Sequence, residues 1–149
     1  MHNGNPPDID DLSISNDELL YIRIYPDPDA LVWDPSTLSH RPNSGCLKDT
    51  RGPLSVDLSS KCTPQDTQAG CTTVRFHVAA VKAGVARRYN CRIVRDPVTE
   101  ESGEPPNPAH ALIFGDHENE SGALRYKSQA KKIALEATII LYGDQLPPH

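Results

Sequence analysis

The chain reads as an α+β domain: a small mixed sheet of five or six short strands, one long C-terminal helix, room for a second short helix, and many long loops. Three observations predict this. Short bursts alternate apolar and polar residues with period two, as in Leu54-Ser55-Val56-Asp57-Leu58. Near the C-terminus, Ala130, Ile133, Ala134, Ala137, Ile140 and Leu141 follow helical spacing. Between such segments lie most of the 14 prolines and 9 glycines, which punctuate rather than build regular structure. At 149 residues the chain suits one domain, and 37% hydrophobic residues imply a small core.

Residues 1–18 hold Pro6-Pro7 and five acids with little to pack, which predicts a flexible acidic segment ahead of a globular domain at 19–143. Leu19-Leu20-Tyr21-Ile22-Arg23-Ile24-Tyr25 is β-branched and aromatic and stops at Pro26, a strand signature. Pro26-Asp27-Pro28-Asp29 reads as a rigid turn, and Leu31-Val32-Trp33 as a second short strand. Residues 34–53 are polar and rich in Pro and Gly, which predicts a loop with at most one helical turn.

Leu54–Leu58 is the next strand, with Leu54, Val56 and Leu58 inward. Thr63-Pro64-Gln65-Asp66 fits an N-cap with proline at the first helical position. The alternation over 72–80 predicts a strand with Val74, Phe76 and Val78 on one face and Arg75 and His77 outward. Lys82–Tyr89 allows a turn or two of helix, and Cys91–Arg95 a further strand.

Pro105, Pro106 and Pro108 mark a linker, after which His110-Ala111-Leu112-Ile113-Phe114 reads as a buried strand. The long helix then runs over about 128–141, with Ser128 as N-cap and Gly143 as a left-handed C-cap. Residues 144–149 form a loose tail. The few aromatics, Tyr21, Tyr25, Trp33, Phe76 and Phe114, fall on predicted strands and should mark the core.

Three of these stretches, Leu19-Leu20-Tyr21-Ile22-Arg23-Ile24, Leu54-Ser55-Val56-Asp57-Leu58 and Asn107-Pro108-Ala109-His110-Ala111-Leu112-Ile113-Phe114-Gly115, together with the alanine-rich helix, resemble a family of small uncharacterised bacterial proteins. The resemblance implies a bacterial cytoplasmic protein and brings no catalytic residues with it.

Composition narrows the function classes. The longest apolar run is far below the roughly 20 residues of a membrane span. The N-terminus lacks the basic and apolar parts of a signal peptide, which points to the cytoplasm. Cys46, Cys62, Cys71 and Cys91 have no metal-site spacing and read as reduced thiols. A disulfide-linked extracellular domain is the competing reading, and Asn119-Glu120-Ser121 is then a formal sequon.

The net charge of -5 argues against a general nucleic-acid binder. That charge is an average over blocks. Residues 72–95 carry Arg75, Lys82, Arg87, Arg88, Arg92 and Arg95 with no acid, and acidic segments flank them.

The blocks support two functional expectations. The first is a non-enzymatic interaction module with a protein partner, such as an accessory subunit of a conflict or toxin–antitoxin system. The second is a small enzyme acting on a nucleotide or nucleic-acid phosphate, with Arg23, Arg75, Arg87 and Arg88 as the anion site and His110 or His77 as acid or base. In that case residues 72–95 would hold the nucleotide or short nucleic acid. Arg23, Ser55 and Glu136 also follow the order of an Arg-Ser-Glu signature seen in some ADP-ribosyltransferases. Cys91, inside the basic block, is the most reactive thiol candidate. His77, His110 and His117 support a metal site only weakly, and no cofactor is expected.

Overall fold

The computed structural model describes residues 9–47, 52–69, 73–115 and 121–145. Its centre is a six-stranded sheet in the order β6-β7-β4-β1-β5-β8. The strands are β1 (Leu19–Ile24), β4 (Leu54–Leu58), β5 (His77–Lys82), β6 (Arg92–Arg95), β7 (His110–Phe114) and β8 (Thr138–Leu141). A separate hairpin joins β2 (Leu31–Asp34) to β3 (Ser39–Pro42). Three short helices complete the set: α1 (Pro64–Ala69), α2 (Ala83–Arg88) and α3 (Lys131–Glu136), the last continuing a π-helical turn at Tyr126–Ala130.

This overturns the predicted fold class in two respects. Every ladder is antiparallel, so the sheet is not mixed. The long helix over 128–141 does not form. Helical structure spans 11 residues, Tyr126–Glu136, and Ala137 turns extended (φ −87°, ψ 151°).

The physical reason lies in Thr138-Ile139-Ile140-Leu141. Three of these four residues are β-branched and lose side-chain freedom in a helix. As β8 they instead pair with Val78–Ala80 and cover the edge of β5. The helical stripe does hold through Ala137, since Ala130, Ile133, Ala134 and Ala137 are all buried. Beyond it the period becomes two: Ile139 is 5% exposed and Ile140 42%. Ser128 lies inside the π turn, and the capping position falls to Arg125.

Gly143 does not cap a helix either. It passes so close to the carbonyls of Arg75 and Phe76 that a Cβ there would collide with both.

The core is aliphatic. Leu20, Ile22, Ile24, Leu58, Ile93, Ile113 and Ile133 have essentially no exposed surface, and α2 and α3 cover the sheet face that carries them. The aromatics do not mark this core. Only Tyr21 and Phe114 are buried, whereas Trp33 is 53% exposed on the hairpin and Tyr25 49% at the end of β1.

Residues 9–18 of the acidic lead-in pack onto the domain. Ile14 enters the core. Asp10 and Asp11 lie along the outer edge of β6, where the Ile93 amide donates to Asp10 Oδ1 (2.9 Å) and the Asp11 amide to the Ile93 carbonyl (2.8 Å). The partners that the acidic residues find are the basic ones downstream: Arg87 bonds Asp10, Arg95 bonds Asp11, and Lys82 reaches Asp17.

The polar stretch 34–53 is also more ordered than a loop, since it contains β3 and a 3-10 turn at Ser44–Leu47. Residues 48–51 of that stretch, residues 1–8 of the lead-in, Cys71, His117 and Asn119 lie outside the described residues.

Candidate functional site

The sheet has a second face, opposite α2 and α3. Alternation along each strand and the ladder registers place Tyr21, Arg23, Ser55, Asp57, His110 and Leu112 on it. Asp57 stands at its middle, with Tyr21 across from it on β1 and His110 across from it on β7. Cross-strand partners of this kind have Cβ atoms about 5 Å apart.

Asp57 is 4% exposed, unusual for a carboxylate, and its surroundings account for it. The Thr67 hydroxyl of α1 donates to Oδ2 (2.7 Å), and Asn107 Nδ2 donates to Oδ1 (2.9 Å). Arg23 Nη2 stands 3.8 Å from Oδ2, while its Nε donates to the Thr67 carbonyl (2.7 Å).

Asn107 also organises the proline-rich loop. It forms a bridge with Val98, and its side-chain oxygen accepts from the Ala109 amide at 3.1 Å. This sets the entry of β7 and hence the position of His110.

His110 Nδ1 lies 2.9 Å from the carbonyl oxygen of Asp96 and 3.2 Å from its Oδ2. A carbonyl only accepts, so Nδ1 carries the proton. The lone pair of the neutral ring is therefore on Nε2, which has no hydrogen-bond partner among the described residues. Two clefts, of about 520 and 180 Å3, share Arg23, Asp57 and His110 in their walls. Cys62 edges the larger one, and burial pushes its thiol up, away from the reactive thiolate.

The other candidates do not converge here. Arg87 spends its guanidinium on Asp10, Asn16 and the Asp11 carbonyl. Arg88 bonds Glu136, and the Tyr89 hydroxyl donates to the same carboxylate, whose acidity both strengthen, Tyr89 most. Glu136 thus belongs to the α3 side of the sheet, and the Arg23-Ser55-Glu136 order brings together only its first two members. Arg75 lies before β5, where its backbone amide is held by Asp144 Oδ2. Cys91 is buried.

His77 is the other catalytic candidate, and the expectation that it points outward is wrong. It starts β5 opposite Ile24, is 4% exposed, and lies on the sheet face opposite His110. Its Nδ1 accepts from the Gly143 amide at 2.8 Å, so its proton sits on Nε2, the reverse of His110. Burial, then the nearby His40, push its pKa down, with Asp144 opposing.

A histidine harder to protonate in the folded state than in the unfolded chain makes stability fall on acidification, starting near the unfolded value of about 6.5 and continuing down to the folded one. Chemical denaturation between neutral pH and pH about 5 should show a wild-type loss that His77→Gln reduces. Equal losses in both would show that His77 is not the group responsible.

The sequence reading missed Asp57, Thr67, Asp96 and Asn107. Asp57 had one legible signal: an acid on the polar side of a cleanly alternating strand.

Among the described residues no group of His, Cys, Asp and Glu has the arrangement of a metal site, and no helix is long and apolar enough to cross a membrane. Among the described residues, Cys46, Cys62 and Cys91 form no disulfide. No family model, curated protein or solved structure matches the chain, so the functional reading rests on the cleft itself.

Proposed function

We propose that the chain binds a small polar molecule in the cleft between Arg23, Asp57 and His110 and moves a proton at His110 Nε2, as an acid–base enzyme. The observation that carries this reading is the Nδ1 contact to Asp96, which fixes the tautomer and leaves Nε2 without a hydrogen-bond partner among the described residues, on the strand beside the buried Asp57. In this scheme Asp96 orients the ring and Arg23 holds Asp57 and the ligand.

The larger cleft sets Arg23 and Lys61 against Asp57, Asp66, Asp96 and Glu104. That balance supports a neutral or cationic ligand over a phosphate.

The test uses a panel of activated nitrophenyl esters and phosphates. Saturable turnover is expected on an uncharged ester, falling by about 100-fold or more in His110→Gln and unchanged in His77→Gln. No turnover, or turnover indifferent to His110→Gln, would overturn the proposal.

A second reading, the protein-interaction module, draws on the large apolar residues Leu38, Trp33, Ile140 and Tyr142, which are 42–75% exposed. Its charge-block form has less support, because Lys82, Arg87, Arg88 and Arg95 pair with acids of the same chain. Light scattering over a wide concentration range tests self-association through this surface. A strict monomer, unchanged by Trp33→Ser, would count against that form of it.

A further inference from the structure

Beyond Arg23 a groove of about 720 Å3 opens at the end of β1, within the size range of small-molecule sites. Tyr25 and Phe76 line it as an edge-to-face pair, with ring centroids 6.2 Å apart and planes at 64°. Asp27 and Asp29 line it as well.

These carboxylates sit on a stiff support. Two prolines restrict the Pro26-Asp27-Pro28-Asp29 turn. The Ala30 amide donates to the Asp27 carbonyl (3.0 Å), the Asn43 amide to the Ala30 carbonyl (2.8 Å), and Asn43 Nδ2 to the Asp29 carbonyl (3.1 Å). Among the described residues, neither carboxylate has a hydrogen-bond or ion-pair partner. Both reach the groove electrostatically: the Cys46 thiol in its wall is pushed up first by burial and then by these two charges.

We propose that this groove is the recognition subsite for a planar cationic group of the ligand, an amidinium, a guanidinium or a protonated aromatic amine. The cation meets Asp27 and Asp29, its flat face packs on Tyr25 and Phe76, and the rest of the ligand extends past Arg23 toward His110. Arg23 lines this groove and both clefts at His110, so the groove and the clefts share one wall residue. The inference rests on the acid–base reading for where the ligand's other end goes, but binding in the groove does not require that chemistry.

Benzamidine is the probe, titrated into isotopically labelled full-length chain and followed by amide chemical shifts. Saturable shifts are expected around residues 25–30, 43–46 and 76, with neutral benzamide and anionic benzoate binding about ten-fold more weakly or worse. Tyr25→Ala and the double variant Asp27→Asn, Asp29→Asn should each weaken benzamidine about five-fold. These side chains are exposed, so unchanged shifts elsewhere will show that the variants keep the fold.

His110→Gln should bind benzamidine as the wild type does. Benzamide or benzoate binding as tightly as benzamidine, shifts centred elsewhere, or no saturable shift would each overturn the subsite. Benzamidine bound in the groove while ester turnover ignores His110→Gln would overturn the acid–base reading alone.

Discussion

Replacing Ile139 with Asp should cost about 3–5 kcal/mol, whereas the same change at Ile140 should cost about 1 kcal/mol or less. The two positions are neighbours with the same residue, and only the secondary structure separates them. In a helix over 128–141, Ile140 would anchor the apolar stripe and Ile139 would lie off it. In β8 the order reverses: Ile139 faces the core at 5% exposure and Ile140 faces out at 42%. A carboxylate at 139 would lose the apolar burial of the isoleucine and would also have to be desolvated with no donor provided for it. Urea denaturation of both variants decides the matter. A larger loss at Ile140 than at Ile139 would restore the long helix.

The same four residues show what limits inference from periodicity. A consecutive apolar run fits any period, so Ile140 and Leu141 could extend the stripe begun by Ala130 and Ile133 as readily as they could begin a strand. The competing signal was β-branching, which outweighs spacing over so short a run. Elsewhere the pattern was specific. Leu54–Leu58 alternates cleanly, and β1 is a short run of apolar and aromatic residues closed off by Pro26 two positions after its end.

Strand direction was not legible, because alternation is the same in parallel and antiparallel ladders. The lead-in misled for a different reason. Composition registers that Asp10 and Asp11 are polar, but not that Arg87 on α2 and Arg95 on β6 stand ready to receive them. For the site, His110 and Arg23 were legible as residue types at strand positions. What joins them was not, since Asp57, Thr67, Asp96 and Asn107 come together only through the ladder registers and the closing of the proline-rich loop.

Asp57→Ala should destabilise the chain by about 2–4 kcal/mol, the second large effect. The alanine would leave the Thr67 hydroxyl and Asn107 Nδ2 without their acceptor, and Arg23 without its counter-charge, in a place where water replaces them poorly. Loss of the Asn107 contact should also loosen residues 104–109, visible as faster amide exchange at Ala109, whose amide bonds Asn107 Oδ1.

Asp57→Asn separates stability from charge. Its oxygen can still accept from Asn107, and the Thr67 hydroxyl can turn to accept from the new amide, so the loss should be about 1 kcal/mol. What Asp57→Asn removes is the negative charge across the ladder from His110. The asparagine variant should keep its fold and lose ester turnover. A variant as unstable as the alanine, or one with turnover unchanged, would mean that Asp57 serves the loop and not the reaction at His110.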